Sequence, residues 1–173
     1  MAIRNILTED DKQLFKKSRP VIDFNNRISV LIDDMRETLL ATDGVGLAAP
    51  QVGILRRVCL VMDTSKEELS PSEQIIELIN PEIIATEGEQ EGLEGCLSVP
   101  GIYGTVKRPE KVTVRAFDRN GDVFEVNAEG FTARCFCHEI DHLDGHIFKE
   151  LASELFTSEE LQNAENNTAE EAE

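Results

Sequence analysis

The stretch His138-Glu139-Ile140-Asp141-His142, near the end of the chain, decides how the rest must be arranged. It has the form H-E-x-x-H, with two histidines four residues apart and a glutamate directly after the first. On a helix these histidines lie on one face, one turn apart, so both rings can reach a single metal ion. Glu139 can then reach a water molecule held beside that metal. The stretch therefore predicts a metal site whose third ligand comes from another part of the chain.

The third histidine and the nearest cysteines are poor candidates for that ligand. His146 follows His138 by eight residues, roughly 12 Å along a helix, which is too far for ligands that each lie about 2 Å from one ion. Cys135 is two turns from His142, so its use would strain the helix and we expect it to pack in the core. Cys137 points away from the ligand face and reads as a plain thiol.

Cys96 is the best remaining candidate for the third ligand. It lies in Glu94-Gly95-Cys96-Leu97-Ser98, where the flanking glycine lets the backbone approach other groups closely. Cys59 is less suitable because it lies in a strand that reads as fully buried. Taken alone, a cysteine such as Cys96 is more often a buried thiol than a ligand.

Composition limits the possible functions. The 173 residues suffice for one domain with a substantial core. The net charge of −17 is the wrong sign for a surface that binds nucleic acid through its phosphates, and it remains about −11 without the six glutamates of residues 157–173. No apolar run is long enough to cross a membrane, and the first residues lack a signal core, so we expect a cytoplasmic protein. Four cysteines do not make a disulfide framework.

Hydrophobic periodicity predicts an α+β fold with mostly antiparallel sheets packed around a C-terminal metal-binding helix, preceded by an N-terminal helix. Asn-Gly at 120–121 lies between two alternating runs and predicts a hairpin. The predicted helices cover residues 25–42 and 128–144, and the predicted strands cover residues 57–62, 75–79, 83–86, 111–117 and 122–127.

Three motifs together resemble the signatures of the peptide deformylase family. They are G-V-G-L-A-A-P-Q at 44–51, E-G-C-L-S at 94–98 and H-E-I-D-H-L-D-G at 138–145. The glycine-rich first motif lacks the Lys-Ser/Thr of a phosphate-binding loop, and Gln51 is the one polar side chain that can project from it. The resemblance covers residues 1 to about 150. We interpret residues 1–156 as the catalytic domain and residues 157–173 as an acidic tail that we expect to be disordered.

The resemblance implies a metal-dependent hydrolase that removes the formyl group from N-formylmethionyl peptides and releases formate. Cys96, His138 and His142 would hold one divalent metal ion, with water in the fourth position. Fe²⁺ is the metal expected in the cell, and Zn²⁺, Ni²⁺ or Co²⁺ could replace it. The resemblance also assigns the catalytic roles: Glu139 is the general base, and the Gln51 amide and Leu97 N–H stabilise the oxyanion.

Substrate binding is also implied by the resemblance. The peptide would add as a strand beside a set of four residues, namely Val45, Gly46, Glu94 and Gly95. A pocket for the methionine side chain would be lined by Phe131, Arg134 and Cys135, with the Arg134 stem along its wall and the charge in water. A transient ribosome contact is allowed by the resemblance, whereas direct nucleic-acid binding and membrane contact are not expected.

Two other classes remain open from the residues alone. An H-E-x-x-H peptidase that cleaves internal peptide bonds would have the same helix motif, but its third ligand is more usually His or Glu. A non-catalytic metal-binding homologue would not need to keep Glu139 and Gln51. Formate release without internal cleavage would separate all three classes.

Overall fold

The computed structural model describes residues 1–170, and their strands form two antiparallel sheets. In chain order the elements are α1 (Asn26–Leu40), β1 (Gly46–Ala48), β2 (Val58–Met62), β3 (Ile75–Glu87), β4 (Gln90–Cys96), β5 (Val99–Arg108), β6 (Lys111–Phe117), β7 (Val123–Glu129), α2 (Gly130–Leu143), β8 (Glu154–Thr157) and α3 (Ser158–Glu170). The larger sheet has the order β1-β2-β3-β6-β7 and the smaller one the order β4-β5-β8. This arrangement confirms the α+β prediction.

Strand β2, an interior strand of the larger sheet, separates two hydrophobic clusters. Cys59 and Val61 belong to the cluster that includes Phe136 of α2, whereas Val58 and Leu60 belong to the cluster that includes α1. Because alternate residues of a strand point to opposite faces, the two helices cover opposite faces of the larger sheet. A strand covered on both faces is apolar at nearly every position, which explains the unbroken run in the sequence.

Both predicted helices of the catalytic region are confirmed, with small shifts at their ends. Asn25 caps α1 by accepting a hydrogen bond of 3.0 Å from the Arg27 N–H. Helix α2 begins at Gly130 and ends before Gly145, as the sequence predicted for its C-terminus. Its first two predicted residues, at 128 and 129, lie instead in β7 and complete the ladder with β6.

The strand predictions were wrong in two respects, since one predicted break is absent and some strands were not predicted. The predicted break at Asn80-Pro81 does not occur, because Asn80 takes φ +50° and β3 continues through a register shift. The Asn80 side chain also exchanges two hydrogen bonds of 2.8 Å with the Val21 backbone. Strands β4 and β5 were not predicted, since their glycines and charged residues give no apolar alternation. The predicted hairpin around Asn120-Gly121 is present between β6 and β7.

The acidic tail differs from its prediction, because Ser158–Glu170 form a helix instead of a disordered segment. Thr157 and Glu160 exchange hydrogen bonds of 2.7 and 3.2 Å, which is a capping box at the start of α3. Acidic residues in the first turn are also favourable beside the positive end of the helix dipole. The last three tail residues, 171–173, lie outside the described chain. Within residues 1–170, every helix is too short or too polar to cross a membrane.

Candidate active site

The predicted ligand residues meet at the junction of the two sheets. Cys96 ends β4, and His138 and His142 lie one turn apart on α2. One candidate ligand atom from each residue lies within 4.8 Å of the other two, and Cys96 Sγ is 3.3 Å from His142 Nε2. A thiolate with two imidazoles suits a four-coordinate transition metal that keeps one position for water. The residues present therefore fit a catalytic metal centre.

The competing candidates lie elsewhere. His146 is exposed and its Nδ1 lies 2.8 Å from Glu150, so it does not join the other histidines. Cys59, Cys135 and Cys137 are buried free thiols in one hydrophobic cluster. Burial raises the pKa of Cys135 to about 12, so this thiol stays protonated and is a poor metal ligand.

A buried ionic cluster stands behind His138. Glu94 accepts hydrogen bonds of 2.9 and 3.0 Å from Arg108, and its second oxygen is 3.4 Å from His138 Nδ1. Burial opposes the charge on Glu94, but the bonds from His138 and Arg108 outweigh it and lower the pKa of this carboxyl to about 2. Arg108 also donates to Asp141, one turn along α2, at 2.6 Å. An ionised Glu94 favours a proton on Nδ1, which leaves the other ring nitrogen of His138 free for a metal.

One expectation for this cluster needs correction. Arg134 was expected to keep its charge in water, yet the residue is only 5% exposed and donates to the Val106 carbonyl at 3.0 Å. The reason is that the buried Glu94 carboxylate compensates the guanidinium charge inside the protein. The Glu94 carboxylate contacts Arg108, Arg134 and His138, which leaves its backbone for the predicted contact with a peptide strand.

We expect Glu94→Gln to weaken metal binding about tenfold or more, because the neutral amide holds the His138 ring less firmly in its ligating orientation. Competition with a chelator for Zn²⁺ would measure the change. Glu77→Gln is the matched control, since Glu77 also accepts two bonds from one arginine, Arg119, but on a distant surface. Equal metal affinity in the Glu94 variant and the control would contradict the orienting role.

Glu139 lies beside the ligands with one carboxylate oxygen unpaired. The residue is 5% exposed, and its Oε2 has no hydrogen-bond partner among the described residues. Burial is the main cause that raises the pKa of Glu139 to about 7, with a smaller opposing effect from His138. A carboxylate with a raised pKa and a free oxygen is suited to accept and return a proton near neutral pH. Its position requires glycine at 46, because a Cβ there would collide with the Glu139 carboxylate.

The Gln51 side chain is held in one orientation. Its oxygen accepts a 2.9 Å bond from the Ala48 N–H, and its Nε2 donates to Ser98 Oγ at 3.1 Å and lies 3.5 Å from Cys96 Sγ. The amide N–H₂ group therefore faces the ligands. Leu97 lies in the turn between Cys96 and Ser98, beside the same point.

The N-terminal segment is hydrogen-bonded to both the Gln51 loop and the Cys96 loop. The Leu7 N–H donates to the Gln51 carbonyl at 2.7 Å, and the Glu9 N–H donates to the Ser98 carbonyl at 2.9 Å. Lys149 in turn holds the Glu9 carboxylate at 2.8 Å. This segment, which carries no recognisable motif, holds the Gln51 loop in place relative to the Cys96 loop.

A cleft of about 550 Å³ opens onto these groups. It is bordered by β1 and β4, each of which is one of the two edge strands of its sheet. The predicted substrate residues that line it are Val45, Gly46, Glu94, Gly95, Phe131, Arg134 and Cys135. Sequence reasoning missed further lining residues on the two unpredicted strands, namely Leu93 of β4 and Val99, Pro100, Gly101, Ile102 and Tyr103 of β5.

A larger groove of about 700 Å³ crosses the other end of β3, β6 and β7. It is lined by side chains such as Asp63, Lys111 and Thr113, and it contains neither the candidate ligands nor Glu139 and Gln51. The smaller cleft is therefore the candidate active site, because only it places reactive groups beside a space for a ligand.

Comparison with known proteins identifies the family. A sequence model described as polypeptide deformylase matches residues 3–156. Peptide deformylase 2 of Clostridium acetobutylicum is 49% identical over 155 residues, which is 89% of this chain and 98% of that relative. The peptide deformylase of Caldanaerobacter subterraneus is 51% identical over 162 residues, covering 94% of this chain and 97% of the relative.

Solved structures agree with the sequence relatives. The crystal structure of a peptide deformylase from Legionella pneumophila is similar with a TM-score of 0.80 and 40% identity, covering 97% of this chain and 98% of that one. The enzyme from Thermotoga maritima gives a TM-score of 0.81 at 34% identity, covering 89% and 100% of the two chains. These matches confirm the resemblance carried by the three motifs. The chain belongs to the peptide deformylase family.

Proposed function

We propose that the chain hydrolyses the formamide bond of N-formylmethionyl peptides, releasing formate and leaving a free amino terminus. One observation carries this proposal: a Cys/His/His set, a buried glutamate and an oriented glutamine amide converge on a single cleft. Membership of the family supplies the reaction class. Cleavage of internal peptide bonds is less well supported, because the third candidate ligand is a cysteine.

Cys96, His138 and His142 would hold one divalent metal ion. When bound, the ion supplies a water of lowered pKa and polarises the carbonyl oxygen under attack. The buried cluster of Glu94 and Arg108 supports this assignment, because it orients one histidine and balances charge without occupying the cleft.

Glu139 is the proton carrier in this proposal. Its carboxylate accepts a proton from the attacking water and returns it to the nitrogen of the leaving amine, so the group ends in its starting state. Gln51 Nε2 and the Leu97 N–H donate hydrogen bonds to the oxygen that gains negative charge as the carbonyl carbon becomes tetrahedral. Fixed donors are effective here because the site is largely buried and they need no reorganisation.

The substrate backbone would lie between the two free sheet edges. Main-chain groups at Val45, Gly46 and Gly95 can pair with a peptide of any sequence, since a strand added to an edge is held through its backbone. The methionine side chain would enter the pocket beside Phe131 and Cys135, which line the same cleft. The small formyl group would fit beside the metal where a larger acyl group would be crowded.

The experiment that tests the proposal is formate release from a formyl-Met-Ala-Ser peptide. We expect stoichiometric formate and free Met-Ala-Ser, with no shorter fragments in mass spectrometry. Internal fragments would favour a metallopeptidase, and bound metal without either product would favour a non-catalytic homologue.

Fe²⁺ is the metal that we propose for the cell, with Zn²⁺, Ni²⁺ and Co²⁺ as replacements. Affinity alone favours the later metals over iron, so the native ion depends on supply as well as on the ligands. Ferrous iron beside a thiolate is open to oxidation. We therefore expect the iron form to lose activity in air, and the Ni²⁺ or Co²⁺ form to keep it, in parallel assays of formate release. Equally active and air-stable zinc and iron forms would contradict this prediction.

Residues 157–173 are proposed to be dispensable for catalysis, with residues 1–156 as the catalytic domain. A chain that stops after Phe156 keeps the pairing of Phe156 with Tyr103 and of Leu155 with Gly104. We expect its kcat/KM on formyl-Met-Ala-Ser to stay within about threefold of the full chain, because the removed segment contains none of the candidate ligands or catalytic groups. Loss of turnover with folding intact would refute this.

The proposed setting is the cytoplasm, where nascent formylated chains are the substrate. Any contact with the ribosome would be transient and would not use the acidic tail to attract RNA, because both carry negative charge.

A further inference from the structure

The guanidinium of Arg134 packs closely against Gly92. Its Nη1 donates to the Val106 carbonyl at 3.0 Å and to the Gly92 carbonyl at 3.3 Å, and it is 3.4 Å from Glu94 Oε1. Gly92 and Val106 are partners in the β4–β5 ladder, so the side chain crosses this ladder at one point. Arg134 is buried here and also forms part of the cleft wall.

Only glycine at position 92 leaves room for this arrangement. A Cβ built on Gly92 would lie 2.9 Å from Arg134 Nη2 and 3.2 Å from its Cζ. The φ angle of Gly92 is not positive, so alanine could adopt the same backbone conformation. The requirement for glycine is therefore one of space, and it is imposed by a single side chain.

A side chain at position 92 would displace the Arg134 guanidinium from its place on the ladder. Arg134 lines the cleft together with Phe131 and Cys135, which lie on the same face of α2. A shift of this guanidinium therefore alters the wall of the pocket that these three residues line.

We propose that Gly92 and Arg134 act as a pair that sets the size of the side-chain pocket and so the preference for an unbranched residue as long as methionine. This inference rests on the proposed function, because it assigns the specificity of that cleft. Gly92 touches no substrate and acts by positioning Arg134, whereas Arg134 forms the wall.

Gly92→Ala tests the pair through the ratio of the kcat/KM values for two substrates. We expect kcat/KM for formyl-Met-Ala-Ser to fall about tenfold, mainly through KM, because the longer side chain loses its space. For formyl-Ala-Ala-Ser, whose side chain does not reach the wall, we expect a change below about threefold. Since both values come from one preparation, a fraction of unfolded enzyme cancels in the ratio.

A second variant separates this role from a general weakening of β4. Gly92→Ala combined with Arg134→Leu should recover most of the preference for formyl-Met, because leucine has no guanidinium to displace. Glu94 keeps its paired bonds from Arg108 in this double variant. Glu91→Ala, an exposed position on the same strand, is the control and should leave both substrates unaffected.

Three outcomes would overturn the inference. They are an unchanged substrate ratio in Gly92→Ala, an equal loss on both substrates, and a double variant no better than Gly92→Ala. Failure of the proposed function looks different, because the unaltered protein would then release no formate from either peptide.

Discussion

Replacing Glu139 by Gln is expected to lower kcat/KM for formyl-Met-Ala-Ser by about a thousandfold while the protein keeps its metal. Glutamine has nearly the same shape but cannot accept the proton of the attacking water. Its neighbours His138 and His142 are unchanged, so the candidate ligand set remains complete. Formate release gives the rate, and elemental analysis gives the metal content of the same sample.

The control for this variant is Asp144→Asn, which removes a carboxylate just after the end of the same helix. Asp144 pairs with Arg57 near the surface and takes no part in the cleft. Turnover in Glu139→Gln within about tenfold of the parent enzyme would exclude the assigned role as base.

The pH dependence of turnover gives an independent check on Glu139. The carboxylate form is the base, so kcat/KM should fall as the pH decreases through the pKa of this group. Burial raises the pKa of Glu139 to about 7, and a nearby metal cation favours the ionised form. We therefore expect the midpoint of the acid limb at or below about pH 7. Glu139→Gln should lack this limb in its residual activity.

Replacing Cys96 by Ala is expected to produce the second large effect, the loss of tight metal binding. Changes to groups that only orient a ligand cost about 10- to 100-fold in affinity, and removal of a ligand should cost more. Formate release should fall with metal content, and the melting temperature should become insensitive to added metal, since only a bound ligand stabilises the folded state.

Cys137→Ala is the matched control for Cys96. Cys137 is also a free thiol, but it is buried in a hydrophobic cluster and does not line the cleft. We expect this variant to keep its metal and to lose at most a little stability from the lost packing. A Cys96 variant that retained full metal occupancy would exclude the cysteine as third ligand.

The two candidate histidine ligands could be predicted from the residues themselves, because helical spacing places His138 and His142 on one face. Cys96 was the best remaining candidate among the thiols, and its assignment as third ligand, like the roles of Gln51 and Leu97, came from the resemblance to the family. The hairpin around Asn120-Gly121 could also be predicted locally, because the two residues of the turn determine its type.

Other features depended on contacts between distant parts of the chain. β4 has glycines at 92 and 95, where the close approach of Arg134 and Tyr103 replaces apolar alternation, so no strand was predicted. The buried charge of Arg134 follows from Glu94 and Val106, which lie 40 and 28 residues away in sequence. Local periodicity carries no information about such partners.

The separation of Cys96 from His142 also has a consequence for the folding of the chain. They are 46 residues apart in sequence, yet Cys96 Sγ and His142 Nε2 are in contact. An ion bound by both would act as a cross-link that closes a long loop containing β5, β6 and β7. Opening of that loop should be slower in the metal-loaded protein, with amide hydrogen exchange retarded across these three strands and α2. The same ion would then act in catalysis and also as a cross-link that stabilises this part of the fold.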